Sequence, residues 1–420
     1  MRQIKPLINI SYRQAICFAA FLVLYEFLTY ISNDMIMPGM HQVIGNFHAP
    51  ESNIATSVTA FMLGGSSLQL FLGPLSDAYG RRKIMLIGVL IFLLSTLLLS
   101  FSQNMTQFMM ERFFQGMGIC FIGAVGYATL QEIFNNNDAV KLTAIMANLS
   151  IIAPLLGPLL GAFIIFYASW RLIFLIIVGF TAIAFLGLYR YMPESLGQTT
   201  TENQLIEAQA LDIKQIYSNY RTLFQSSLFR NTVLMYGLMG IPCMIWIALS
   251  PVMIISPVKN SLLYYGLWQI PMFSSFILAN TLLQKWIDKI GMERLMNLGI
   301  MIVITSLGSG MIFLHFFGLS FQALVPVFIF YFFGYAIASS PIYRKLFSAT
   351  RVGKGTTGAL ISLMTMLIQS LGIEIGNIMY DGQNYMALGE LFLTLSIGIT
   401  LFYYQLNKAD NRGLAQEQSA

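Results

Sequence analysis

Charge is what this chain has least of: 10% of its 420 residues are Asp, Glu, Lys or Arg, against roughly 25% in an ordinary soluble domain. That scarcity excludes a soluble globular protein. Disorder is excluded too, because 56% of the residues are hydrophobic and 14% aromatic, whereas disordered chains are polar and poor in aromatics. Cysteine and histidine are also scarce. Cys17, Cys120 and Cys243 lie far apart in apolar runs without CxxC spacing, which reads as lone buried thiols. His41, His48 and His315 are scattered, so no metal and no cofactor is expected. The net charge of +5 does not form a nucleic-acid patch, and no nucleophile and base cluster suggests an enzyme.

A mean hydropathy of +0.69 places the chain in a lipid bilayer. One span needs about 20 apolar residues. Apolar segments recur at 14–34, 55–75, 84–102, 106–134, 141–166 and 170–191, then at 230–257, 262–284, 293–316, 319–343, 356–379 and 385–405. The expected fold is therefore all-α, with twelve transmembrane helices in two halves. Residues 1–191 form the N-terminal half and 230–405 the C-terminal half. Between them 192–229 is a polar linker, and 406–420 is a tail. Arg2, Lys5 and Arg13 precede the first apolar run as in a signal peptide. That run continues past Tyr30 without a small-residue cleavage site, so it reads as a retained span.

Basic residues set the orientation. Of the 23 Lys and Arg, only Arg171 and Lys259 fall in loops on one side and Arg112 falls within a span; the others share the opposite side with both termini. Both termini are expected to be cytoplasmic. The loop after the second span, Gly73-Pro-Leu-Ser-Asp77-Ala-Tyr-Gly80-Arg81-Arg82-Lys83, has a partial echo in Asp288-Lys-Ile-Gly291-Met-Glu-Arg294 after the eighth. Two related halves are a transporter architecture.

Ionisable side chains inside spans are costly, at least about 2.5 kcal/mol at a helix centre, and are functional candidates by default. Glu26, Tyr30 and Asn33 follow i, i+4, i+7 spacing with Asp34 at their flank, a polar stripe on the first span. Arg112 in the fourth span is the expected partner, with Gly116, Ile119, Gly123 and Tyr127 on roughly its face. Glu132 and Glu374 also lie in spans, and the sequence supplies neither with a partner. Asp77 is expected beside the positive start of a helix, among Arg81, Arg82 and Lys83, as a conformational latch. In the fifth span Ala153, Gly157 and Gly161 give a smooth face, and Pro154 and Pro158 bend it.

These residues resemble the major facilitator superfamily, and within it the twelve-span drug/proton antiporters. Gly73 to Lys83 is similar to the signature between spans two and three, Arg112 to Gly118 to the span-four signature associated with proton coupling, and Ala153 to Ala162 to the antiporter signature of span five. Leu24 to Phe27, Asn33 to Met40 and Cys120 to Ala128 extend the resemblance to its bacterial multidrug transporters. It is thinner in the second half, around Trp246, Gln269, Phe273 and Gly372 to Ile375.

The resemblance implies a proton-coupled efflux antiporter of the bacterial inner membrane. It would act as a monomer and export lipophilic cationic and neutral, chloramphenicol-like drugs by alternating access. Its partners would be small-molecule drugs, protons and the lipid bilayer. It implies that Glu26 and Asp34 couple protons to drug with support from Arg112. Tyr30, Asn33, Tyr127, Met146, Gln269 and Phe273 would join them in lining the cavity. An exporter of a sugar or other small metabolite with the same fold is the alternative.

Overall fold

The computed structural model describes residues 6–134, 136–199, 205–206, 213–255, 262–350, 352, 354–380 and 382–417. Arg2, Lys5, Lys259 and Arg351 lie outside the described residues, as do 200–204 and 207–212 of the linker. Among the described residues the structure is helical, apart from two isolated bridges, Pro6 with Phe134 and Thr199 with Leu205. The chain divides into two compact units, residues 1–50 with 60–214, and residues 51–59 with 215–420.

The helices up to the linker are α1 (Tyr12–Met35), α2 (Met40–Phe47), α3 (Ser52–Ser67), α4 (Gln69–Tyr79), α5 (Arg81–Phe101), α6 (Met105–Phe121), α7 (Tyr127–Ile133), α8 (Asn136–Tyr167) and α9 (Arg171–Tyr191). They are followed by α10 (Ile213–Gln225), α11 (Ser227–Ile254), α12 (Leu262–Ile290), α13 (Met292–Gly308), α14 (Gly310–Phe317), α15 (Phe321–Ser348), α16 (Lys354–Met379) and α17 (Tyr385–Glu417). Lipid offers backbone groups no hydrogen-bond partner, so each span must satisfy its own. Hydroxyls inside spans are satisfied in the same way. Thr29 donates to the Glu26 carbonyl at 2.7 Å, Ser32 to Thr29 at 2.8 Å and Thr96 to Phe92 at 2.6 Å. Side-chain caps begin α1 at Ser11, α6 at Asn104 and α11 at Ser226.

Among the described residues ten helices are long and apolar enough to cross a membrane. The fifth and eighth expected spans are not among the ten. The described apolar part of α8 is the shorter Ile152–Tyr167. At 29 residues, α12 also has the length to cross a membrane. The second span extends beyond 55–75 and breaks at Leu68 between α3 and α4. There Ser66 and Ser67 donate to the carbonyls of Leu63 and Gly64. The polar linker holds α10, whose Ile216, Tyr220 and Leu223 share its less exposed face. Burial pushes the Tyr220 phenol up to about 12.

The internal repeat extends from motif to packing. In the first unit α1 packs on α8 and α9, and α5 on α6 and α9; in the second, α11 packs on α16 and α17, and α13 on α15 and α17. The partner rule is the same in both: first span with fifth and sixth, third with fourth and sixth. The two motif glycines are geometrically equivalent. Gly80 (φ 108°) and Gly291 (φ 90°) end one helix and begin the next. Their N–H groups donate to the Ser76 and Ile287 carbonyls, and their own carbonyls accept from Ile84 and Leu295.

Positive φ penalises any side chain at these two positions, by about 1–3 kcal/mol. A Cβ on Gly291 would meet nothing within 4 Å, whereas one on Gly80 would lie 2.6 Å from the Glu194 carboxylate. Gly291→Ala should therefore lower stability by the backbone term alone and Gly80→Ala by more, measured as thermal unfolding of the purified protein.

Candidate functional site

The first unit gathers most of the predicted polar residues around a guanidinium. Arg112, on α6, is completely buried. It donates to Gln115 Oε1 at 2.7 Å and to Asn33 Oδ1. Gln115 in turn donates to the Thr96 hydroxyl at 3.0 Å, and the guanidinium lies 4.6 Å from the centre of the Phe61 ring. Asp34 is reached indirectly: the Asn33 amide accepts from Arg112 and donates to Asp34 Oδ1 at 3.2 Å. The direct Arg112 partnership expected of Asp34 is thus replaced by a relay through Asn33. The planar fork suits this, because separate N–H groups can serve Gln115 and Asn33 together.

Glu26 is also buried, and Tyr127 donates to its Oε1 at 2.7 Å. Its Oε2 is buried with no hydrogen-bond partner among the described residues. The fourth span is interrupted between Arg112 and Tyr127 by a π-helical stretch, Ile122–Gly126. A Cβ on Gly116 would collide with the Phe61 backbone, Gly123 stands open, and Tyr127 reaches Glu26. The wider turn changes the helical phase partway along, as single π turns do at many functional sites. Tyr30 is half-buried and Met146 buried.

The span-five motif supports the same place from behind. A Cβ on Gly157 would lie 2.6 Å from Asp34 Cβ, and one on Gly161 would overlap the Met35 carbonyl. These glycines bring α8 against the end of α1, and Ala153 is buried on the same face. Pro154 and Pro158 lie within α8, which remains one continuous helix.

A second polar cluster gathers around Arg81. Its guanidinium pairs with Asp77 at 2.5 Å and with Glu132 at 2.8 Å, and donates to Ser76 Oγ at 2.5 Å. Gly73 contributes its carbonyl to the Ser76 hydroxyl. Glu132 also accepts from Ser195 at 2.5 Å, so the acid without a sequence partner has two. Asp77 thus lies beside the first residue of α5, and the helix start itself is capped by Glu194, which accepts the Arg81 and Arg82 N–H groups at 2.9 and 3.2 Å. Glu194 and Ser195 were missed by sequence reasoning. Their signal was an acid and a hydroxyl directly after the sixth apolar run.

In the second unit Gln269 is buried, accepts from Trp246 Nε1 at 2.7 Å and donates to Ser250 Oγ at 3.5 Å. Phe273 packs its ring 5.2 Å from Phe332. Glu374 meets Thr56 and Asn377 at 3.4 Å each, and Asn377 donates to the Ser52 carbonyl at 3.0 Å. Among the described residues no group of His, Cys, Asp and Glu could hold a metal ion.

Buried ionisable groups on spanning helices, within two units that repeat one packing rule, are the build of a secondary transporter. The chain belongs to the Major Facilitator Superfamily, whose family profile matches residues 22–377. It is a family of transporters, not enzymes. The chain is 38% identical over 372 residues to the multidrug transporter MdfA of Yersinia pestis bv. Antiqua (strain Angola), covering 88% of each sequence. It is 39% identical over 367 residues to MdfA of Escherichia coli O6:H1, covering 86% of this chain and 87% of the relative. In fold it is similar to a D-xylose-proton symporter (TM-score 0.71, 16% identity, 93% of this chain and 97% of that one). It is also similar to the xylose transporter XylE from E. coli in a partially occluded inward open conformation (TM-score 0.71, 15% identity, 94% and 98%).

Two substitutions test the clusters. Arg112→Lys replaces the planar two-nitrogen fork with a single, shorter-reaching donor atom, so one of the bonds to Gln115 and Asn33 should be lost, at a cost of about 1.5–3 kcal/mol, the worth of a hydrogen bond to a charged group. Glu194→Ala should cost about 0.5–2 kcal/mol through the lost helix cap, and Glu194→Gln, which keeps one acceptor oxygen, should cost less. Thermal unfolding of the purified variants reads both.

Proposed function

We propose that this protein is a proton-coupled multidrug exporter of the bacterial inner membrane, with both termini cytoplasmic. It exchanges lipophilic cationic and neutral drugs for protons by alternating access. The observation that carries the reading is the pair of buried acids on α1. Glu26 keeps one oxygen without a partner beside Tyr127, and Asp34 is tied through Asn33 to Arg112. A carboxyl that keeps an oxygen free inside a bundle has room for a proton, and a cationic drug would satisfy the same oxygen. Competition between the two makes exchange obligatory.

The drug class rests on the similarity to multidrug transporters over most of the chain, together with the apolar and aromatic character of the spans. Tyr30, Tyr127 and Met146 of the first unit and Gln269 and Phe273 of the second are the proposed drug-contacting residues. The Arg81, Asp77 and Glu132 cluster, with Glu194 and Ser195, serves conformational control rather than drug contact. The driving force is ample: inward proton movement yields about 2.3 kcal/mol per charge per 100 mV and about 1.4 kcal/mol per pH unit.

Drug-induced proton release from the purified protein is the direct test. Addition of tetraphenylphosphonium or chloramphenicol should release protons from the natural protein and none from a Glu26→Gln, Asp34→Asn double variant. In proteoliposomes the double variant should lose at least tenfold in gradient-driven transport. Full transport with unchanged pH dependence would refute the assignment of the acids.

A further inference from the structure

The second unit carries a proline within α11 that the proton-coupling reading does not use. Pro242 lies inside this helix. It has no N–H, so the Leu238 carbonyl has no helical donor. At the next rung Cys243 N–H and the Met239 carbonyl are the i and i−4 partners of a regular helix. The Tyr331 hydroxyl, from α15, engages both: it accepts from Cys243 N–H at 3.2 Å and donates to the Met239 carbonyl at 2.6 Å. A side chain inserted into the i→i−4 ladder is one of the few causes of a sharp helix kink. Pro242 thus removes one rung of α11, and the Tyr331 hydroxyl bonds both members of the next.

The surroundings hold the inserted ring. Tyr331 is completely buried. It lies flat on Tyr335 (centroids 5.7 Å apart, planes at 9°), and Tyr335 stacks on Tyr236 of α11 (6.3 Å, 27°). On the side facing α16, Gly237 and Gly240 leave room for Ile368 and Gln369, whose side chains a Cβ at either position would strike. The stretch 237–243 thus combines two glycines, a proline and a foreign hydroxyl within two turns.

We propose that Tyr331 is a positioning residue for transport, the pin of a hinge in α11. With its hydroxyl inserted the helix is bent at Met239–Cys243. With the hydroxyl withdrawn, Cys243 N–H and the Met239 carbonyl pair directly and the helix straightens. Passage between the two forms is a step of the transport cycle. The inference rests on the transporter family and not on the identity of the cargo.

The test uses the full chain in proteoliposomes, with tetraphenylphosphonium as probe, and compares Tyr331→Phe, Pro242→Ala and the double variant. Each single variant should keep probe affinity within about twofold and lose about tenfold in turnover. The double variant should lose the same tenfold, because pin and break serve one hinge. A hundredfold, additive loss, or no loss in either single variant, overturns the proposal.

A second readout needs no substrate. Spin labels at Arg230 and Arg294, on a background with Cys17, Cys120 and Cys243 replaced by alanine, should report two distances in the otherwise natural protein and one in each variant. A single, unchanged distance throughout overturns the hinge. If Tyr331→Phe does not fold, Pro242→Ala and the label pair decide alone. If the natural protein does not carry the probe, the multidrug reading fails and the label pair still judges the hinge.

Discussion

A guanidinium with no access to solvent, inside a bundle whose outer surface meets lipid, must have its charge and its donors answered from within. Arg112 answers this constraint with Gln115, Asn33 and the face of Phe61, its Nε–H alone keeping no hydrogen-bond partner among the described residues, and much of the first unit follows from it. Asn33 occupies the place a direct ion pair would have taken, so Asp34 lies within the influence of the charge without being consumed by it. Thr96 completes the chain by accepting from Gln115. A directly paired carboxylate would be locked to its partner, and separating a buried pair costs several kcal/mol. Asp34, reached only through Asn33, is not locked in that way.

Close approach between backbones is the second constraint. Gly157 and Gly161 let α8 press against α1 where Asp34 sits, so the antiporter-like motif and the acid are a single construction. Gly80 and Gly291 supply the positive φ that joins one span to the next in each unit. The π stretch in the fourth span and Pro242 within α11 are local departures from a uniform hydrogen-bond ladder. Just beyond the first, Tyr127 meets Glu26; beside the second, the Tyr331 hydroxyl bonds Cys243 N–H and the Met239 carbonyl.

Much of this was legible in the residues. Helix type, the approximate limits of the spans and the repeat followed from hydropathy and from the Asp-x-x-Gly spacing, because a bilayer enforces length and self-satisfied backbones. Buried acids and the buried arginine stood out because charge is so rare in the spans. Less legible were the partners. Glu132 had none in the sequence and finds Arg81 and Ser195, residues 51 and 63 positions away. The cap on the start of α5, Glu194, comes from 113 positions beyond Arg81. No residue pattern announced the π turn in the fourth span.

The sequence by itself determined that this is a helical membrane protein with a small set of costly buried charges, because transfer energies act residue by residue. Tertiary structure alone decided what those charges meet: Asn33 between Arg112 and Asp34, Tyr127 on Glu26, Glu194 on the start of α5, and Tyr331 in the ladder of α11. Hydrogen bonds form between groups brought within about 3 Å, and how remote helices pack is a property of the whole fold rather than of any local stretch of residues.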